Sequence, residues 1–314
     1  MPSRISPGRA QLPTPPISRS EPSDRAAASG PILEDARLYL LAAQLDNVEA
    51  LRIAVENRHR QATRDVADVD GHLRGLGLPA DDPVVAQSAH LIEAMSKAEH
   101  SIELALNRQL RTHPLGAWQK ATLGVGEKQL ARLLAVIGDP YWNVTADAPR
   151  TVSQLWAYCG LHVLAAPHPD QRRADAQPSG VGVAARRQRG QRANWSATAK
   201  SRVWLIAASC LKQERSPYRK LYDEARTKHA EAMHIAPCAQ CGPAGKPAQP
   251  GSTLRPGHQH ARGMRVMSKE ILKDLWVESR RLHGHLPPAS DPSMPKARAP
   301  GAGPRCPQPP STGV

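Results

Sequence analysis

Cys238 and Cys241 stand three positions apart, and His258 and His260 follow them downstream. Thiolates and imidazoles are ligands that zinc favours, and two of each can close a tetrahedral Cys2His2 site. The chain between them, GPAGKPAQPGSTLRPGH, is too rich in Gly and Pro to fold well without a staple. The zinc expected here is therefore structural, pinning a loop between the two terminal helices. His234, four residues before Cys238, is a weaker alternative ligand.

A second chemistry-bearing stretch is TLGVGEKQLARLLAVIGDP, residues 122–140. Glycine permits a tight turn at positive φ and a close approach of backbone to a ligand. The first amides of the following helix, with its positive dipole end, suit an anion. Gly124, Val125 and Gly126 therefore read as the turn of a helix-hairpin-helix (113–140) that contacts nucleic-acid phosphate, with Lys128 and Arg132 adding charge. A phosphate-binding P-loop is excluded by spacing, because Lys128 lacks the preceding glycine pattern and the following Ser or Thr. The dinucleotide fingerprint fails for want of a third glycine in register.

Composition points the same way. The chain has 314 residues, 42 Lys and Arg against 28 Asp and Glu, and a formal net charge of +14. Such a balance suits a polyanionic partner, most often nucleic acid. Between Arg186 and Lys228 there are 12 basic residues and 3 acidic ones, so this one segment holds most of the excess. Arg186, Arg187, Arg189, Arg192, Lys200 and Arg202 lead the expected DNA-binding set. No apolar run approaches the roughly 18 residues of a membrane span, so no membrane partner is expected. The N-terminus has no apolar core and does not read as a secretory signal. Five sparse cysteines then fit a reduced, cytoplasmic chain.

The elements that must position these residues are mostly helices. Residues 1–30 and 285–314 read as disordered tails, being Pro-rich and without apolar periodicity. A heptad pattern runs from about 31 to 76: Leu38, Leu45, Val66 and Leu73 on one seam position, and Leu41, Val48, Val55, Ala62, Val69 and Leu76 on the other. Arg52 and His59 interrupt it. This predicts one long helix, broken by GLGLPADDP (75–83). A second helix follows over about 84–112, with Leu91, Met95, Ala98, Ile102 and Ala105 on its seam. The pair is expected to form a helical hairpin, or a coiled coil that joins subunits into a homo-oligomer. Asp35, Asp46, Asp65, Asp68 and Asp70 read as ordinary exposed helix acids. Further helices are expected at 127–137, within 151–165, at 196–214, 217–234 and 261–283. The fold class is mostly α, with the hairpin (31–112) preceding a helical domain (113–284).

The order of motifs carries a resemblance. HPLGAWQKATLGVGEKQLARLLAVIGDP is followed by RTVSQLWAYCGL, then QPSG, a basic loop, KSRVWLIAASC and SPYRKLYDEAR. Over about residues 85–283 this resembles the C-terminal transposase domain of the DEDD-type insertion-sequence transposases, the one-ten/one-sixteen/nine-oh-two family. The resemblance implies DNA transposition and recombination, guided by an element-encoded RNA. It also implies a serine nucleophile that joins covalently to DNA, which by motif position is Ser179. A hydroxyl on a Gly-flanked loop near Arg186, Arg187, Arg189 and Arg192 suits phosphate chemistry, while Pro-Ser-Gly is also ordinary loop sequence. In that family an N-terminal RuvC-like domain binds magnesium. Residues 1–84 offer none of the strands it needs, so magnesium is expected only if a partner domain supplies it. The alternative is a non-catalytic helix-hairpin-helix and zinc-knuckle module that scaffolds nucleic acid.

Overall fold

The computed structural model describes residues 30–165, 182–184, 190, 192–235, 237–238, 240–243 and 246–284. Among them the chain is mostly α, with eight helices and two short antiparallel strand pairs.

Two long helices, α1 (Ala36–Thr63) and α2 (Pro83–Thr112), form a hairpin. Asp35 caps α1, its carboxylate accepting from the amides of Arg37 and Leu38. Asp82 does the same for α2, where Pro83 supplies a preset first turn. Near its base the hairpin is apolar: Leu38, Leu45, Leu106 and Leu110 are buried. Farther along it becomes ionic, with Arg52 donating to Glu99 (2.5 Å) and Glu56 (2.6 Å).

The expected single helix over 31–76 is wrong beyond Thr63. Helix α1 ends at Thr63, and the chain folds back on itself. Amides of Leu76, Gly77 and Leu78 donate to the carbonyls of Gln61, Arg64 and Ala62. The returning chain thus satisfies carbonyls that a helix end leaves open. Asp70-Gly71 makes the turn at φ +79° for the glycine, and Asp68 binds Arg64 and Arg74. Val66, Val69, Leu73 and Leu76 are consequently exposed. On α2 the seam is partly displaced: Ile102 packs on the core but Leu91 is exposed, while Val85, Leu106 and Leu110 are buried.

After α3 (Gly116–Ala121) and α4 (Glu127–Ile137) comes a two-residue strand pair, β1 (Trp142–Asn143) with β2 (Ala148–Pro149), then α5 (Val152–Tyr158). Strands β3 (Val163–Ala165) and β4 (Gly182–Ala184) pair with Val163 opposite Ala184. The remaining helices are α6 (Ala197–Lys212), α7 (Pro217–Lys228) and α8 (Pro256–Leu282). Helix α4 packs on α1 and α6, α6 on α8, and α8 on α7. One apolar cluster runs through all of these, joining Leu45 and Leu106 to Leu130, Leu133, Ile206, Met267 and Leu275.

Two expected boundaries move. Helix α7 stops at Lys228 rather than near 234. Helix α8 starts at Pro256 rather than Ala261, because proline at the first helical position has its φ already set and needs no amide partner. That earlier start decides the metal site.

Candidate metal centre and nucleic-acid interface

The stretch between α7 and α8 is held by two isolated antiparallel bridges, Met233 with Thr253 and Cys238 with Ala248. They bring His234, Cys238 and Cys241 to the first turn of α8. There His258 completes a tetrad whose four ligand atoms all lie within 4.8 Å of one another. His258 Nδ1 stands 3.2 Å from Cys241 Sγ and 3.7 Å from Cys238 Sγ. Zinc bonds of about 2.3 Å to sulfur and 2.0–2.1 Å to nitrogen imply tetrahedral edges of roughly 3.3–3.8 Å, so the spacing already suits a metal. His234 is oriented for ligation. Its Nδ1 faces the carbonyl of Ser252 at 2.8 Å, while Nε2 is buried without a hydrogen-bond partner. With Nδ1 donating, the lone pair sits on Nε2, the arrangement that fixes many metal-binding histidines. Burial and the charges of Arg262 and Arg265 hold the His258 imidazole below its usual pKa. It therefore favours the neutral form that a ligand needs.

His260 lies outside this tetrad. Residues two apart on a helix project about 200° apart, so α8 cannot aim both histidines at one ion. His260 turns toward α6 and α7, with its Nδ1 2.8 Å from the Tyr222 hydroxyl and its ring edge-on to Trp204. The sequence-based choice of His258 with His260 is corrected to His234 with His258. The missed signal was the Pro256 helix start.

The α3–α4 hairpin exists, but its glycines serve two different ends. Gly124 adopts φ +96°, and a Cβ there would lie 2.8 Å from the Cys210 Cα. The close approach it permits is to α6. Val125 is buried, and its carbonyl accepts from Gln119 at 2.7 Å. Gly126 is the exposed N-cap of α4, with nothing within 4 Å of the place a Cβ would take and no side-chain cap.

The expected cations on α4 are committed inward. Arg132 is 3% exposed and binds Asp46 and Glu49 of α1. Arg202 shares Asp46 at 2.7 Å. Both are corrected from phosphate contacts to struts between helices. Lys128 lies 2.7 Å from Glu103 and 3.8 Å from Glu99, so it too is largely spent within the fold. Asp46, read as a solvated acid, is the hub of this network. Arg192 is exposed, and Lys200 is half-buried over the Trp195 ring at 5.6 Å. Ser179, Arg186, Arg187 and Arg189 lie outside the described residues.

Two further buried sites are structural. Asp139 accepts from the amides of Leu33, Tyr141 and Trp142, and His283 Nε2 lies 2.7 Å from it. Arg150 donates to carbonyls of Trp142, Ile137 and Asp139. Cys159 and Cys210 are free thiols whose burial pushes them up to about 12 and about 11. They are protonated and poorly reactive at neutral pH.

No protein-family model matches the chain, and no curated protein matches it. Among the described residues, no helix is long and apolar enough to cross a membrane.

Proposed function

We propose that this chain is a DNA-binding protein of transposase type, acting in DNA transposition or recombination, with a structural zinc ion at His234, Cys238, Cys241 and His258. The observation that carries the binding reading is the α3–α4 hairpin. Gly126 leaves the N-terminus of α4 open and uncapped, and the chain carries +14 overall. Uncapped helix amides with a positive dipole end suit a phosphate. The zinc would supply no reaction chemistry; it would bind four side chains and hold the 233–258 segment against α8. Ser179 is the proposed nucleophile on the resemblance alone, and magnesium would enter with a RuvC-like partner domain. A guide RNA is a proposed partner on the same ground. Exposed Leu40, Leu51 and Ile53 on α1 and Leu91 on α2 support self-association through the hairpin.

Duplex DNA binding at about 50 mM salt should weaken steeply as salt rises, with a log–log slope near −0.9 for each phosphate neutralised. Binding that is absent, or indifferent to salt, overturns the reading. Ser179→Ala separates enzyme from scaffold. A covalent protein–DNA adduct in the parent and none in the variant supports strand transfer. No adduct in either, with or without magnesium, supports a non-catalytic module.

A further inference from the structure

Helix α8 presents Arg262, Arg265 and Lys269 at a spacing of three and four residues, hence on one helical face. All three are half-buried. Among the described residues, no carboxylate pairs with any of them. This contrasts with Lys128, Arg132 and Arg202, each of which sits on an acid. Lys200 of α6 belongs to the same cluster. Burial, with Arg265 beside it, holds Lys200 below the usual lysine range, and the same two causes act on Lys269. Burial and the charge of Arg262 lower Arg265. Arg262, Arg265 and Lys269, half-buried along one helix face and without a paired acid among the described residues, form a costly arrangement unless an anion visits it.

Indoles flank this basic face. Lys269 Nζ lies 4.7 Å from the Trp156 ring centroid, and the Trp156 indole N–H donates to the Lys269 carbonyl at 2.9 Å. Lys200 lies over Trp195, whose ring meets His162 edge-on at the root of the β3–β4 hairpin. One turn along α6 from Lys200, Trp204 is 42% exposed and braced edge-on by His260. Cations alternating with an accessible aromatic face form the pattern that binds unpaired strands: charges track the phosphates and bases stack on the rings. A duplex would have little use for Trp204, because its bases are already stacked.

We propose that Arg262, Arg265 and Lys269 bind the phosphodiester backbone of single-stranded nucleic acid, with a base stacked on Trp204. This deepens the nucleic-acid reading above and rests on it, but it uses a surface separate from the α3–α4 hairpin.

The test measures full-length protein binding a fluorescent 20-nucleotide oligothymidylate and, separately, a 20-base-pair duplex across a salt series. Arg262→Gln with Arg265→Gln should weaken single-strand binding about tenfold or more. It should also flatten the salt slope by roughly 0.7 per lost phosphate contact. The change for duplex should be much smaller. Because Arg265 is half-buried, Trp204→Ala serves as an independent variant at an exposed position. It should weaken single-strand binding by about tenfold without changing the salt slope. If both variants keep parental single-strand affinity while the parent still binds duplex, this site is overturned and the DNA-binding reading stands. If the parent binds neither nucleic acid, both fall.

Discussion

His258 and His260 are two residues apart in sequence and on opposite sides of α8. His258 faces the two thiols, whereas His260 faces Tyr222 and Trp204. Purified protein should therefore carry about one zinc per chain by elemental analysis. His258→Ala and His234→Ala should lose most of it, whereas His260→Ala should retain it. Retention by His234→Ala together with loss in His260→Ala would restore the spacing that the bare sequence suggested. A second residue-scale consequence concerns Asp274, whose carboxyl accepts from the Tyr218 hydroxyl at 2.9 Å. It lines a cleft with Trp118, Leu123 and Arg215. Burial holds its pKa above the ordinary 3.8, and Glu270 adds to the rise, while the Tyr218 bond and Lys273 oppose it. The folded protein thus holds this proton more tightly than the unfolded chain does. The associated stability is complete below 3.8 and is lost as pH rises through the elevated pKa. Asp274→Asn keeps an acceptor and removes the buried charge. It should raise the melting midpoint at about pH 7, and the gain should shrink toward about pH 4. Equal gains at both values would show that the charge is not the cause.

At the scale of elements, Gly124 and Gly126 look alike in sequence and are opposite in role. Gly124→Ala meets both an unfavourable φ and the α6 backbone, so it should cost about 1–3 kcal/mol in denaturant unfolding. Gly126→Ser has open space and an extended backbone at φ −75°. A serine there can cap α4, so folding should be unharmed or improved by roughly a few tenths of a kcal/mol. The same hydroxyl would take amides that a phosphate needs, so duplex affinity should fall while stability holds. Unchanged duplex affinity would remove the hairpin from the interface. These elements also show what the sequence could tell. Helix α4 was legible because Leu130, Leu133, Leu134 and Ile137 keep one face and Gly138 ends it. The end of α1 was not legible. Its heptads continue to Leu76, and only hydrogen bonds from residues 76–78 back to 61–64 reveal the reversal. The partners of Arg132 and Arg202 were equally invisible, since Asp46 lies 86 and 156 residues away. Charge counts alone cannot tell a cation facing solvent from one bridging two helices.

Across the whole molecule, α8 is the element on which the separate features converge. Its first turn carries His258, its middle turns carry the basic face, and its buried side from Met264 to Trp276 lies in the common core. Near its end, the Trp276 indole N–H donates to the Arg150 carbonyl at 2.8 Å, and His283 meets Asp139 just beyond it. Only its first turn borders the candidate metal site. Among the described residues of 233–258, Cys241 and Leu254 are the buried apolar side chains. A metal bound only by the folded state stabilises that state by mass action. Removing zinc with a chelator should therefore loosen 233–258 and leave the eight-helix core folded. Hydrogen exchange should speed up in that segment, while far-UV circular dichroism changes little. Arg262 sits one turn beyond His258, so single-strand affinity should drop several-fold on chelation and return when zinc is restored. Global unfolding on chelation would instead mean that the metal holds the core itself. Unchanged exchange at 233–258 would mean that the tetrad binds no metal in solution.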